Sequence, residues 1–158
     1  MTLAIIGCGN PNRSDDGVGP EVIARLRKRP LPDGVALHDA GTDGMGVMYN
    51  AKGASHLVVV DARAPESEPG AIYDVPGGLL EMPPQQSFNL HDFRWDHALY
   101  AGRKIYGAAF PKQVKVFLIE AATLEMGLSL SKPVSAAADR VAARIEALAH
   151  DFAEGSWA

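Results

Sequence analysis

Four consecutive apolar residues, Leu57-Val58-Val59-Val60, run straight into Asp61, and a second run, Leu3-Ala4-Ile5-Ile6, leads into Gly7-Cys8-Gly9-Asn10 and then Asp15-Asp16-Gly17. A strand without polar alternation has no face for water, so it belongs in a sheet covered on both sides. Apolar runs bounded by turn residues alternate here with helical periodicity, the pattern of βαβ units. The expected fold class is therefore α/β, a three-layer α/β/α arrangement around a mostly parallel twisted sheet. In such sheets the carboxyl ends of the strands line the ligand crevice, which is where Asp16 and Asp61 are expected to meet.

The elements follow from local pattern. A first helix is expected from near Asp15, with Val18, Val22 and Leu26 on one stripe, Arg25, Arg27, Lys28 and Arg29 favouring its carboxyl end, and Pro30 as its stop. A short strand, Val35 to Leu37, leads into the turn His38-Asp39-Ala40-Gly41-Thr42-Asp43-Gly44 and a short helix from Met45 to Ala51. The stretch from Ala62 to Leu90 is rich in proline and glycine, with one expected strand at Ala71 to Val75; irregular segments of this kind often carry function. A helix from Phe93 to Tyr106 ends at Gly107, and a last strand from Val114 ends at Glu120. Ser131, with Pro133 just inside, opens a final helix whose apolar stripe is Val134, Val141, Ile145 and Leu148. One domain over residues 1–152 is expected, with a frayed tail at 153–158.

Composition narrows the functional classes. The 158 residues are 47% hydrophobic, enough for one domain with a sizeable core. A formal charge of −4 and scattered basic residues argue against a nucleic-acid footprint and for a protein or small-molecule partner. No basic leader precedes the first apolar run and no segment approaches the length of a spanning helix, so neither secretion nor membrane insertion is expected. The single cysteine, Cys8, has no intrachain partner, which fits a reducing compartment and a cytoplasmic protein.

Gly7-Cys8-Gly9-Asn10 has the look of a dinucleotide loop, but position 12 is Asn12 rather than the third glycine, and Asp15 and Asp16 stand where a pyrophosphate would have to sit. Carboxylates there repel phosphates, which excludes NAD or FAD as the favoured reading. Asp15 suits helix capping, and one aspartate is enough for that, which leaves Asp16 for other work. Asp61, ending a fully apolar strand, needs hydrogen bonds or a cation to offset desolvation, or else caps the turn from Ala62 to Pro65. Two carboxylates with one imidazole suit a divalent ion with open positions, and His91 and His97 compete for the imidazole. No serine or cysteine with a nearby histidine and acid makes a nucleophilic triad, and Cys8 suits packing better than attack.

At these residues the chain resembles the NiFe-hydrogenase maturation endopeptidases. The resemblance runs in order through Gly7-Cys8-Gly9-Asn10, Asp15-Asp16-Gly17-Val18-Gly19, Asp39-Ala40-Gly41-Thr42-Asp43-Gly44, Leu57-Val58-Val59-Val60-Asp61-Ala62 and His91, and ends at Ile119-Glu120 with Gly127-Leu128-Ser129 and Val134. It implies an endopeptidase that removes a short C-terminal extension from the hydrogenase large-subunit precursor after nickel insertion. The implied metal-contacting and catalytic positions are Asp16, Asp61 and His91, which favours His91 over His97. The loop of Asp39, Gly41 and Thr42 is implied in recognition of the precursor. Asp16 stands where some members have glutamate, Asn89 where a serine often precedes the histidine, and Ala121 where many have proline.

The resemblance further implies that nickel is carried by the substrate and not held permanently. Carboxylates and imidazole can share an ion that softer thiolates keep. A non-catalytic nickel-checking chaperone of the immature subunit needs the same three ligands and differs only in leaving the tail uncut. A general metallopeptidase with its own ion is disfavoured by the absence of a His-Glu-x-x-His helix.

Overall fold

Each residue of the apolar run from Leu57 to Val60 is fully buried, and successive side chains enter two separate cores. Val58 and Val60 pack with Leu3, Ile5, Val22 and Val141, whereas Leu57 and Val59 pack with Ala4, Ile6, Val47 and Leu99. The computed structural model describes residues 1–75 and 95–157. Among them, β1 (Leu3–Cys8), β2 (Val35–Gly41), β3 (His56–Arg63), β4 (Ile72–Asp74) and β5 (Gln113–Glu120) form one sheet in the order β2-β1-β3-β5-β4. All pairs are parallel except β4 with β5, which is antiparallel. Helices α1 (Val18–Leu26) and α4 (Lys132–Glu154) cover one face, and α2 (Gly44–Ala51) and α3 (Trp95–Tyr106) the other, giving the expected three layers. Among the described residues no helix is long and apolar enough to cross a membrane.

Truncating the central strand tests this packing. Leu57→Ala is expected to cost about 2–5 kcal/mol, the range for deleting a buried leucine side chain that neighbours cannot refill. Urea denaturation measures it, and a loss below about 1 kcal/mol would mean that this core collapses freely around the gap.

Several boundaries differ from the sequence reading for physical reasons. The first helix begins at Val18, after a 3-10 turn over Ser14–Gly17, and no side chain caps either element. Strand β2 extends past Leu37 through Asp39 to Gly41, because it is an edge strand whose polar residues face solvent while its backbone still pairs with β1. Strand β3 continues past Asp61 to Arg63, since pairing with β5 persists from Asp61↔Leu118 to Arg63↔Glu120 after pairing with β1 has ended at Gly7↔Val60. The last helix passes Phe152, reaches Glu154 and closes on left-handed Gly155, and Trp157 stands edge-on to His56 with ring centroids 5.0 Å apart. The expected fraying after Phe152 is thus replaced by a capped helix end. Arg25 stands in the last turn of α1, as expected, and pairs with Glu21 of the same helix; it also reaches α4, where it binds Ser135 and Asp139, and Arg29 binds Glu146.

Candidate active site

The chain passes from β1 through α1 to β2 on one side, then crosses back through α2 to β3 on the other, so the sheet's direction of growth reverses between β1 and β3. Crevices form at such a reversal, beyond the carboxyl ends of the strands. A cleft of about 810 Å³ opens there, lined by Cys8, Gly9 and Asn10 after β1 and by Asp61, Ala62 and Arg63 at the end of β3. Asp16, Gly41 and Thr42 line the same cleft.

Glycines bring the backbone close enough to build it. A Cβ on Gly19 would overlap the carbonyl of Cys8 and lie 2.7 Å from that of Val60, and a Cβ on Gly7 would overlap the carbonyl of Gly19. The first turn of α1 therefore lies directly on β1 and β3, a role that glycine's missing side chain permits. The glycines that mimic a dinucleotide loop serve helix-on-strand packing.

Asp16 is half-buried, and its Oδ2 accepts the Asn10 N–H at 2.9 Å. Asp61 is half-buried, and its Oδ1 accepts the N–H of Ala62 at 2.7 Å. These carboxylates come from separate elements into one cleft, and both, with Asp39, act on Cys8. Burial first, then Asp61, Asp39 and Asp16 in turn, push the Cys8 thiol well above its ordinary value of 9.0. A thiol held protonated by burial and three nearby carboxylates is a poor nucleophile. Cys8→Ser is accordingly expected to keep the native activity.

The same shift has a pH consequence. The folded thiol stays protonated where the unfolded one ionises, so stability contributed at lower pH is lost as pH rises above 9.0. The loss attributable to Cys8 approaches about 1.4 kcal/mol per pH unit, and Cys8→Ser removes it. Urea midpoints of both proteins between neutral and alkaline pH measure the difference, and identical pH profiles would contradict the burial of this thiol.

Asp39 is exposed and is not one of the residues that line the cleft. Its Oδ1 accepts the Gly41 N–H at 2.9 Å, and the Gly41 carbonyl takes the Gly9 N–H at 2.7 Å, so it orders the cleft loop indirectly. The register slips there by one residue, Gly7 facing Asp39 and Cys8 facing Gly41, a bulge of the kind that re-aims residues beside active sites. Asp43 caps α2 through the Met45 N–H at 2.9 Å.

Asp15 is a correction. It is fully buried and caps nothing in its own helix. Its carboxylate accepts the N–H groups of Ala122, Thr123 and Ser131 and the Ser131 hydroxyl, at 2.7 to 3.3 Å. Ser131 does stand at the N-cap of α4, as expected, but its hydroxyl serves Asp15 instead of a helix amide.

Among the described residues no three His, Cys, Asp or Glu side chains are grouped to hold a metal ion. His91 and Asn89 lie outside the described residues. The rival His97 is within α3, where its Nδ1 lies 3.2 Å from Asp96 Oδ1.

Sequence reasoning missed Arg13, Arg63, Trp95 and Leu124 in the cleft wall. Arg63 was legible in principle, since residues two apart on a strand share a face and Asp61 is two before it. Its guanidinium lies 4.2 Å from the centre of the Tyr73 ring, and Tyr73 donates its hydroxyl to buried Glu120 at 3.0 Å. Glu120 also accepts the N–H groups of Glu66 and Glu68, which fixes the loop after β3.

Comparison with known proteins agrees with this architecture. The model of the hydrogenase maturation protease family matches residues 20–148. A provisionally named hydrogenase maturation protease of Methanocaldococcus jannaschii is 36% identical over 92 residues, 57% of this chain and 60% of that protein's length. The coenzyme F420 hydrogenase subunit delta of Methanothermobacter thermautotrophicus is 32% identical over 136 residues, 80% of this chain and 82% of that one. Among solved structures, the hydrogenase-maturating endopeptidase HybD of Escherichia coli shares the fold with a TM-score of 0.77 at 23% identity, covering 98% of this chain and 94% of its own. The family match over residues 20–148 takes in the Gly41-Thr42 loop, Asp61 and most of the final helix, and the chain belongs to the hydrogenase maturation protease family, a family of peptidases.

Proposed function

We propose that this protein is the endopeptidase that removes the C-terminal extension of a NiFe-hydrogenase large-subunit precursor after nickel has been inserted, and that it does so in the cytoplasm. The observation that carries the reading is the convergence of Asp16 and Asp61, from the turn before α1 and from β3, on one open cleft at the strand ends. Anionic oxygen donors of this kind suit a divalent cation presented by another protein, whose softer thiolates keep the ion. His91 is the proposed third contact. With the nickel of the precursor docked on these side chains, the scissile peptide lies beside an ion able to polarise its carbonyl or activate a water. Gly41 and Thr42 line the cleft and are the proposed contacts to the precursor chain, with Asp39 ordering their loop.

The test uses purified protein with the precursor in nickel-loaded and nickel-free forms, followed by mass spectrometry. Tail removal from the loaded form alone is the expected result. Binding of the loaded form without any cut would make the protein a nickel-checking chaperone, and cutting of both forms would remove nickel from the recognition step.

A further inference from the structure

Asp15 and Asp16 are adjacent but serve opposite sides of one turn. Asp16 lines the cleft, whereas Asp15 is fully buried against Ala122, Thr123 and Ser131, in a segment whose Leu124 reaches the cleft wall. We propose that Asp15 is a positioning residue for the cutting reaction, holding the carboxylate of Asp16 in the cleft through a joint between residues 12–15 and 121–131. The proposal rests on the function given above.

A buried carboxylate is costly unless its oxygens are satisfied, and every donor to Asp15 is neutral. Two of these donors come from the amino terminus of α4, whose N-cap Ser131 donates to it through both backbone and hydroxyl. The same joint is closed by the main chain. Ser14 N–H donates to Gly127 at 2.8 Å, Gly127 N–H to Asn12 at 2.9 Å, and Asp15 N–H to Thr123 at 3.3 Å. Two side chains add to it, Arg13 Nε donating to the Leu124 carbonyl at 3.0 Å and Ser14 Oγ to that of Glu125 at 2.8 Å.

Inside this joint sits Ser14 with φ of +53°, the one non-glycine residue with positive φ among the described residues. Such a conformation costs of order 1–3 kcal/mol and persists only where its surroundings over-determine it. The strain sits two residues before Asp16, in the turn that aims its carboxylate at the Asn10 N–H. Loosening the joint lets Ser14 relax, and the relaxation turns Asp16 away from Asn10. A residue that merely stabilised the fold would leave Asp16 in place in every molecule that remained folded.

The Asn10 amide reports that difference directly, because it donates to Asp16. In Asp15→Asn, removal of the tail from the nickel-loaded precursor is expected to fall about 10–100-fold, the range for partners that orient metal-contacting groups. In nitrogen-15 spectra of the same variant, the Asn10 amide should shift and lose protection from exchange while Val58 and Val59 in β3 keep theirs. An unchanged Asn10 amide, whether or not cutting falls, overturns the proposal. If Asp15→Asn does not fold, Gly127→Ala loosens the joint from its other side, because its Cβ would stand 2.6 Å from Ser14 Oγ while both aspartates remain. A shifted Asn10 amide with slower cutting is again expected, and native behaviour of both overturns it. Asp16→Asn separates the two levels: if it stops cutting while Asp15→Asn does not, the positioning role fails alone. If Asp16→Asn cuts at the native rate, the proposed function fails.

Discussion

Asp61→Asn is expected to fold normally and to remove the precursor tail more than about a hundredfold more slowly than the native protein, since partners that only orient metal-contacting groups already cost about 10–100-fold. The substitution keeps the shape of the side chain and an oxygen able to accept the Ala62 N–H, which the carboxylate takes at 2.7 Å. What it removes is negative charge, at the point where β3 parts from β1 and the cleft opens. A half-buried, shape-preserving change of this kind should alter stability by no more than about 1 kcal/mol. Initial rates of tail release, taken beside a urea titration, separate the two effects. A native rate in a folded variant would take Asp61 out of the chemistry.

Gly9→Ala should instead damage the site through the backbone. Gly9 has φ of +138°, and a Cβ there would overlap the carbonyl of Asp16 and stand 3.6 Å from Pro20. Backbone strain accounts for about 1–3 kcal/mol, and the overlap adds to it because a carbonyl in a packed turn cannot swing aside. A total loss of at least about 3 kcal/mol is expected, together with slower cutting, because the residue displaced is Asp16 itself. Thermal unfolding measures the first and the precursor assay the second. A variant as stable as the native protein would mean that this turn is free to move.

The strands that position the site were legible because their signal is local. An unbroken apolar run can only be buried on both faces, and the runs at Leu3 to Ile6 and Leu57 to Val60 are fully or almost fully so. The stripe Val18, Val22 and Leu26 is fully buried on α1, as helical spacing requires. The end of β2 was less legible, since an edge strand tolerates His38 and Asp39, and its bulge depends on pairing with β1. Asp15 was misread for a physical reason: an aspartate before a helix looks like a cap, and nothing local shows that its partners lie 107 to 116 residues away. Gly155 carried the helix-end signal that moves the boundary past Phe152. That Asp16 and Asp61 share one cleft was legible from the sequence, because each follows an apolar strand and the carboxyl ends of parallel strands line the crevice.

The most direct measurement is the intact mass of the host's hydrogenase large subunit, from cells with the native protein and cells carrying Asp61→Ala, with nickel supplied to both. The account predicts a shortened subunit in the first and a retained tail in the second. A tail removed in both would contradict it.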